Sequence, residues 1–193
     1  GGILFLDELP EFSRAALETL RQPLEDREVT VSRVEATVTY PANFQLVAAM
    51  NPCPCGHFPD LARCRCTEGQ ITRYLQKISG PLLDRIDLCV EASPVTYGDV
   101  RGGGENEASG AIRARVEQAR EIQKERFMEE NIRCNGEMSG RHIRKYCVLG
   151  KEEETFMEEI FEKLALSARM HDRILKVART TADLAGESKI RLS

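Results

Sequence analysis

Three sets of polar residues in the 193-residue chain have types and spacings that could do chemistry. The first is Asp7-Glu8, which follows the apolar run Ile3, Leu4, Phe5, Leu6. Such a run is the pattern of a central parallel strand covered on both faces, and carboxylates at its C-terminal end sit where open α/β sheets bind ligands. One acid can hold a hard divalent cation while its neighbour polarises water, although an acidic helix N-terminus would show the same residues. The second set is Cys53, Cys55, Cys64 and Cys66, four thiols in one Pro- and Gly-rich loop. They suffice for a tetrahedral zinc site that would staple an insertion too polar to bury itself. Each pair is separated by one residue instead of the usual two, so reduced thiols or a disulfide remain alternatives. His57 could replace one ligand or be solvated. The third set is cationic. Arg85, flanked by Asp84 and Asp87, reads locally as an ion pair, whereas Arg169 and Arg173 share a helix face with Lys176. His142 and His171 have no metal-like neighbours and are assigned no role.

The elements needed to position these groups can be read from the hydrophobic periodicity. Leu17, Leu20 and Leu24 predict a helix from about Ser13 to Leu24, ending near Pro23. Two alternating pieces, Glu28 to Arg33 and Ala36 to Tyr40, form a hairpin, and Phe44 to Met50 is a second buried strand running into Asn51-Pro52. After the cysteine loop, Thr67 and Gln70 form a capping box for a helix carrying Ile71, Tyr74, Leu75 and Ile78. Ile86, Leu88 and Val90 alternate as a third strand. The stretch around Gly102-Gly103-Gly104 reads as a linker, 99–109, between an α/β part (1–98) and an all-α part (110–193). Helices are expected at about 110–130, 139–149, 152–165 and 168–185. The first carries a stripe of Ile112, Val116, Ala119 and Ile122. The last carries Ile174, Val177, Ala178, Thr181, Ala182 and Ala185, with Ser167 as N-cap and Gly186 as stop.

Composition excludes little. A hydrophobic fraction of 41% is that of a globular protein, and no apolar run approaches the roughly 20 residues of a membrane span, so a cytoplasmic location and no membrane partner are expected. The net charge of -4 gives no general attraction to nucleic acid. Seven cysteines without a secretory signal imply thiols or metal ligands in place of a disulfide framework. A start at Gly1-Gly2 that runs straight into a strand reads as a fragment of something longer.

Taken in order, LFLDELPEF, LRQPLEDREV, QLVAAMNPCPCG, SGPLLDRIDL and LSARMHDRILKVARTTADL resemble the magnesium-chelatase-like AAA+ ATPase family, in its branch of competence-associated helicases. The resemblance implies the C-terminal part of an AAA+ P-loop NTPase core with a parallel sheet, followed by a small helical lid. It makes Asp7 and Glu8 the Walker B pair, with Asp7 on Mg²⁺, and Asn51 sensor 1. Arg85 becomes an arginine finger acting on a neighbouring subunit, and Arg169 becomes sensor 2, with Arg173 as the second candidate. The 28–40 hairpin would face a central channel with Arg33 near its tip, where plain surface is the competing reading. ATP and Mg²⁺ as cofactors, a homo-oligomer such as a hexamer, and DNA as the load follow from the same resemblance. An ATP-driven metal-chelatase subunit and a non-hydrolysing interaction module are the alternatives. The chain contains no G-x-x-x-x-G-K-[ST], so its 193 residues alone are expected to bind ATP weakly.

Overall fold

In the computed structural model, which describes residues 2–33, 36–92, 97–101 and 107–192, the chain separates into two compact units, Gly1–Cys89 and Val90–Ser193. Gly102, Gly103 and Gly104 lie outside the described residues, as do Val34 and Glu35 at the hairpin tip.

The first unit is mixed α/β. Strand β1 (Gly2–Leu6) pairs in parallel with β4 (Phe44–Ala48), in a register that sets Leu4 beside Leu46 and Leu6 beside Ala48. Between them come helices α1 (Arg14–Thr19) and α2 (Arg21–Asp26) and the antiparallel hairpin of β2 (Glu28–Ser32) and β3 (Thr37–Pro41). Two helices follow β4: α3 (Glu68–Leu75) and the single-turn α4 (Gly80–Leu83). The core is small: Leu9, Leu17, Ile78 and Leu82 are buried, with Leu6, Leu20 and Leu24 packed against them.

The expected helix 13–24 is broken at Leu20, which caps α1 and starts α2; Pro23 lies inside α2 and is buried instead of ending it. Proline lacks an N–H but is tolerated in a first turn, whose donors have no intrahelical acceptor. β1 is covered on one face only, since Ile3 and Phe5 are 71% and 58% exposed while Leu4 and Leu6 are partly buried. The third strand is not formed. Residues 86–90 have no ladder partner, and Leu88 and Val90 are 67% and 89% exposed. An alternating pattern becomes a strand only when a neighbour accepts its backbone hydrogen bonds, and no described strand does so here.

The second unit is helical: α5 (Tyr97–Val100), α6 (Ser109–Arg126), α7 (Gly140–Tyr146), α8 (Lys151–Lys163) and α9 (Ala168–Leu184). Its core is Phe127, Met138, Ile143, Cys147, Leu175 and Ile190. The Ser167 hydroxyl accepts from Met170 N, and Gly186 takes φ +71° after the last turn, so both ends of α9 are as the sequence indicates. The buried face of α9 is shifted from the expected stripe, to Leu175, Arg179, Ala182 and Asp183. In α6 the stripe is buried only toward its C-terminal half, at Ala119 and Gln123, whereas Ile112 and Val116 are exposed.

The charged residues explain the shift in α9. Asp183 and Arg179 are 1% and 3% exposed. The Asp183 carboxylate accepts two bonds from Arg126 (2.5 and 2.7 Å), one from Arg179 Nε (3.1 Å) and one from Asn135 Nδ2 (2.8 Å). Each terminal nitrogen of Arg179 donates to one more carbonyl, that of Ser188 or Glu187. Burial pushes the Asp183 carboxyl up, but hydrogen bonds from Arg126 and Asn135 outweigh it and hold the group below its usual range.

A second ionic cluster ties α7 to the segment after α6. Glu130 accepts from Lys145 (3.0 Å), Arg141 (2.9 Å) and Tyr146 (3.2 Å), with His142 Nε2 at 3.3 Å. His142, buried, also accepts the Ser139 N–H through Nδ1, which makes it a helix cap. Lys145 first, with His142 and Tyr146, brings the Glu130 carboxyl down to about 2. A depressed carboxylate stabilises the fold above its unfolded pKa and loses that contribution as pH falls through its folded value. The helical unit should therefore weaken between about pH 4.5 and 2. Acid titration of helix content checks this, with Glu130→Gln expected to flatten that limb.

Candidate functional site

The site assembles at the carboxyl ends of β1 and β4. Ala49 N donates to Leu6 O (2.9 Å) and Leu9 N to Ala49 O (3.0 Å), so the two strands leave the sheet locked together. Asp7 and Glu8 emerge from one and Asn51 from the other, all three exposed. Asp7 Oδ1 accepts the Glu8 N–H at 2.8 Å, which fixes its carboxylate against the turn. Glu8 itself has φ 52° and ψ 46°. A left-handed, non-glycine residue costs about 1–2 kcal/mol, and such strain concentrates where a side chain must be aimed.

Asn51 is backed by the cysteine loop. Gly56 takes φ +78°, and a Cβ there would lie 3.8 Å from Asn51 Oδ1. Tyr74, on α3, is buried beside Asn51, 7% exposed. Burial raises its hydroxyl pKa, the carboxylates of Glu11 and Glu8 add to this, and a backbone hydrogen bond from Asn51 opposes it. Tyr74 is read from the sequence only as part of an apolar stripe, and its polar end became visible only once α3 was set against the strand ends. The capping box that starts α3 is complete, with Gln70 N donating to Thr67 Oγ1 (3.3 Å) and Thr67 N to Gln70 Oε1 (2.8 Å).

Arg85 follows α4. One of its terminal nitrogens donates to Pro81 O at 2.6 Å and the other pairs with Glu25; its Nε is buried without a hydrogen-bond partner. Arg169 and Arg173 are in the second unit, near the start of α9, the former exposed and the latter half-buried. Lys176, one turn on, donates to Gly136 O. Arg33 stands at the end of β2, on a hairpin whose strands are almost wholly exposed.

The four cysteine sulfurs converge, all within 4.8 Å of one another. Backbone hydrogen bonds from His57 and Arg65 hold the Cys55 thiol down to about 6, while burial, with Cys55 and Cys53 beside it, pushes Cys66 up to about 12. His57 is exposed, and the sulfur cluster is complete without it.

Compared with known proteins, residues 1–100 match the family profile described as magnesium chelatase, subunit ChlI, and residues 106–193 match its C-terminal companion. The chain belongs to the magnesium-chelatase-like family. Within that family it is similar to the protein named Competence protein ComM of Haemophilus influenzae, 46% identical over 98% of this chain and 36% of the relative. It is similar also to the uncharacterized protein YifB of Salmonella typhimurium, 46% identical over 95% of this chain and 35% of the relative. A relative in Mycobacterium tuberculosis is 41% identical over 97% of this chain. The chain thus spans about a third of the length of the curated relatives it matches. Among the described residues no helix is long and apolar enough to cross a membrane.

Proposed function

We propose that this chain supplies the hydrolysis and sensing residues of an AAA+ ATPase whose cycle remodels or translocates DNA. The observation that carries the reading is that Asp7 and Glu8 directly follow β1, and Asn51 follows β4 within three residues, on adjacent parallel strands in a chain of this family. Two exposed carboxylates on one strand end suit a hard cation and a water molecule, so the residues present fit Mg²⁺ and a nucleoside triphosphate. Asp7 would hold the Mg²⁺, which supplies charge neutralisation at the phosphates. Glu8 takes the proton of the attacking water as its oxygen bonds to the γ-phosphorus and the bond to the ADP oxygen breaks. Asn51, an uncharged donor at the neighbouring strand end, orients that water or a γ-phosphate oxygen.

Arg85 acts in trans across a ring, a hexamer of identical chains. In that role the guanidinium would exchange the half-exposed carboxylate of Glu25 for a phosphate of the neighbouring subunit. Arg169, with Arg173 behind it, senses the phosphates from the helical lid. The DNA load rests on the relative named for competence and on the exposed hairpin that carries Arg33. The family's own description favours a second load, insertion of a metal ion into a ligand.

ATP hydrolysis by the full-length protein, with and without single-stranded or forked DNA, separates these readings. Stimulation by DNA is expected. Turnover indifferent to DNA would favour the metal load, and no turnover under any condition would overturn the motor.

A further inference from the structure

The loop 52–66 is held internally by turn hydrogen bonds, among them Gly56 N to Cys53 O and Cys64 N to Asp60 O, and has no apolar core. Within it only Cys53 is buried, and its largest apolar side chains, Leu61 and Phe58, are 81% and 38% exposed. A loop of this length without an apolar core needs another constraint. The sulfurs supply the geometry for one. Cys53 Sγ lies 3.4 Å from Cys55 Sγ and 3.8 Å from Cys64 Sγ, Cys55 and Cys64 are 3.6 Å apart, and Cys66 completes the set within 4.8 Å. Four ligands at about 2.3 Å from one tetrahedral zinc are separated by about 3.8 Å. A disulfide would bring one pair to about 2.05 Å, and here all four cysteines are free.

We propose that Cys53, Cys55, Cys64 and Cys66 bind one structural zinc ion, which fixes the loop between β4 and α3. Thiolate ligands select zinc among the common divalent ions, and with four of them no position is left open for catalysis. The Phe58 N–H donates to Cys53 Sγ at 3.4 Å, the kind of backbone bond that orients a metal-bound sulfur. One-residue spacing is accommodated because the two pairs face each other across the loop, Cys53 against Cys64, so neither pair has to wrap the ion alone. The ion would tie the residue two places after Asn51 to the residue before the Thr67 cap, holding Gly56 against the Asn51 side chain. Zinc at this loop does not depend on whether the intact protein hydrolyses ATP.

The test is metal analysis of the full-length protein purified without chelator, beside Cys64→Ser and a control at the exposed thiol Cys134, Cys134→Ser. Wild type and control should carry one more zinc per chain than Cys64→Ser. Cobalt exchanged into the wild type should show the intense d–d and charge-transfer bands of a tetrahedral four-thiolate site, a readout that does not depend on the variant folding. Trypsin should cut at Arg63 or Arg65 at least tenfold faster after metal removal. Equal zinc in wild type and Cys64→Ser, iron in place of zinc, or cobalt bands without thiolate character would overturn the proposal.

Discussion

Glu8→Gln in the full-length protein is expected to lower ATP turnover by about 10²–10⁴-fold, the range associated with one positioned general base. The amide keeps the size of the side chain but cannot take a proton from water. Because Glu8 is exposed and makes its structural contacts through its backbone, by donating to Asp7 Oδ1 and accepting from Glu11, the fold should be unaffected. Nucleotide affinity should therefore survive while kcat collapses, a split that steady-state kinetics and a binding titration would show together. A kcat within about threefold of wild type would remove Glu8 from the chemistry. Asp7→Asn should behave differently, since weakened Mg²⁺ binding raises the metal requirement as well as lowering the rate.

Asp183→Ala is expected to destabilise the helical unit by about 3–5 kcal/mol, the cost of breaking a buried ion pair from one side. The alanine leaves Arg126 and Arg179 facing each other beside Asn135, with their counter-charge gone and both still partly or wholly enclosed. Urea unfolding followed by helix content reads the loss as a lower midpoint at unchanged slope. Replacing Arg126 and Asp183 together with apolar residues should recover much of it, because the penalty of the single change is mostly the stranded charge. A loss below about 1 kcal/mol would mean that water reaches the arginines and solvates them. Arg179 and Asp183 lie on α9, the helix that also carries Arg169 and Arg173, so the sensor role proposed for those two arginines depends on the same network.

The strand that leads to Glu8 was legible because four apolar residues before two acids fit a parallel strand, and β1 and β4 do pair in parallel. The left-handed backbone of Glu8 was not legible, since φ at a single glutamate depends on where the Leu9 N–H finds its acceptor across the sheet, at Ala49. Asp183 was invisible: a carboxylate in a charge-rich helix reads as solvated surface, and only the approach of Arg126 from α6 makes its burial affordable.

Local signals decided what is local. The Thr67 capping box, the Ser167 cap, the Gly186 stop and the Glu28–Pro41 hairpin formed as the residues dictate, because each is satisfied by partners within a few positions. The chemistry-bearing residue types and the family they resemble were also set by sequence alone. Tertiary structure decided everything that depends on a neighbour: the absent ladder at 86–90, the uncovered face of β1, and the partner of Arg85. It also decided the convergence of four sulfurs from two ends of a loop. Strand pairing, burial and ion pairing are energies of two surfaces meeting, and a periodic pattern in one segment carries no information about whether the other surface is present.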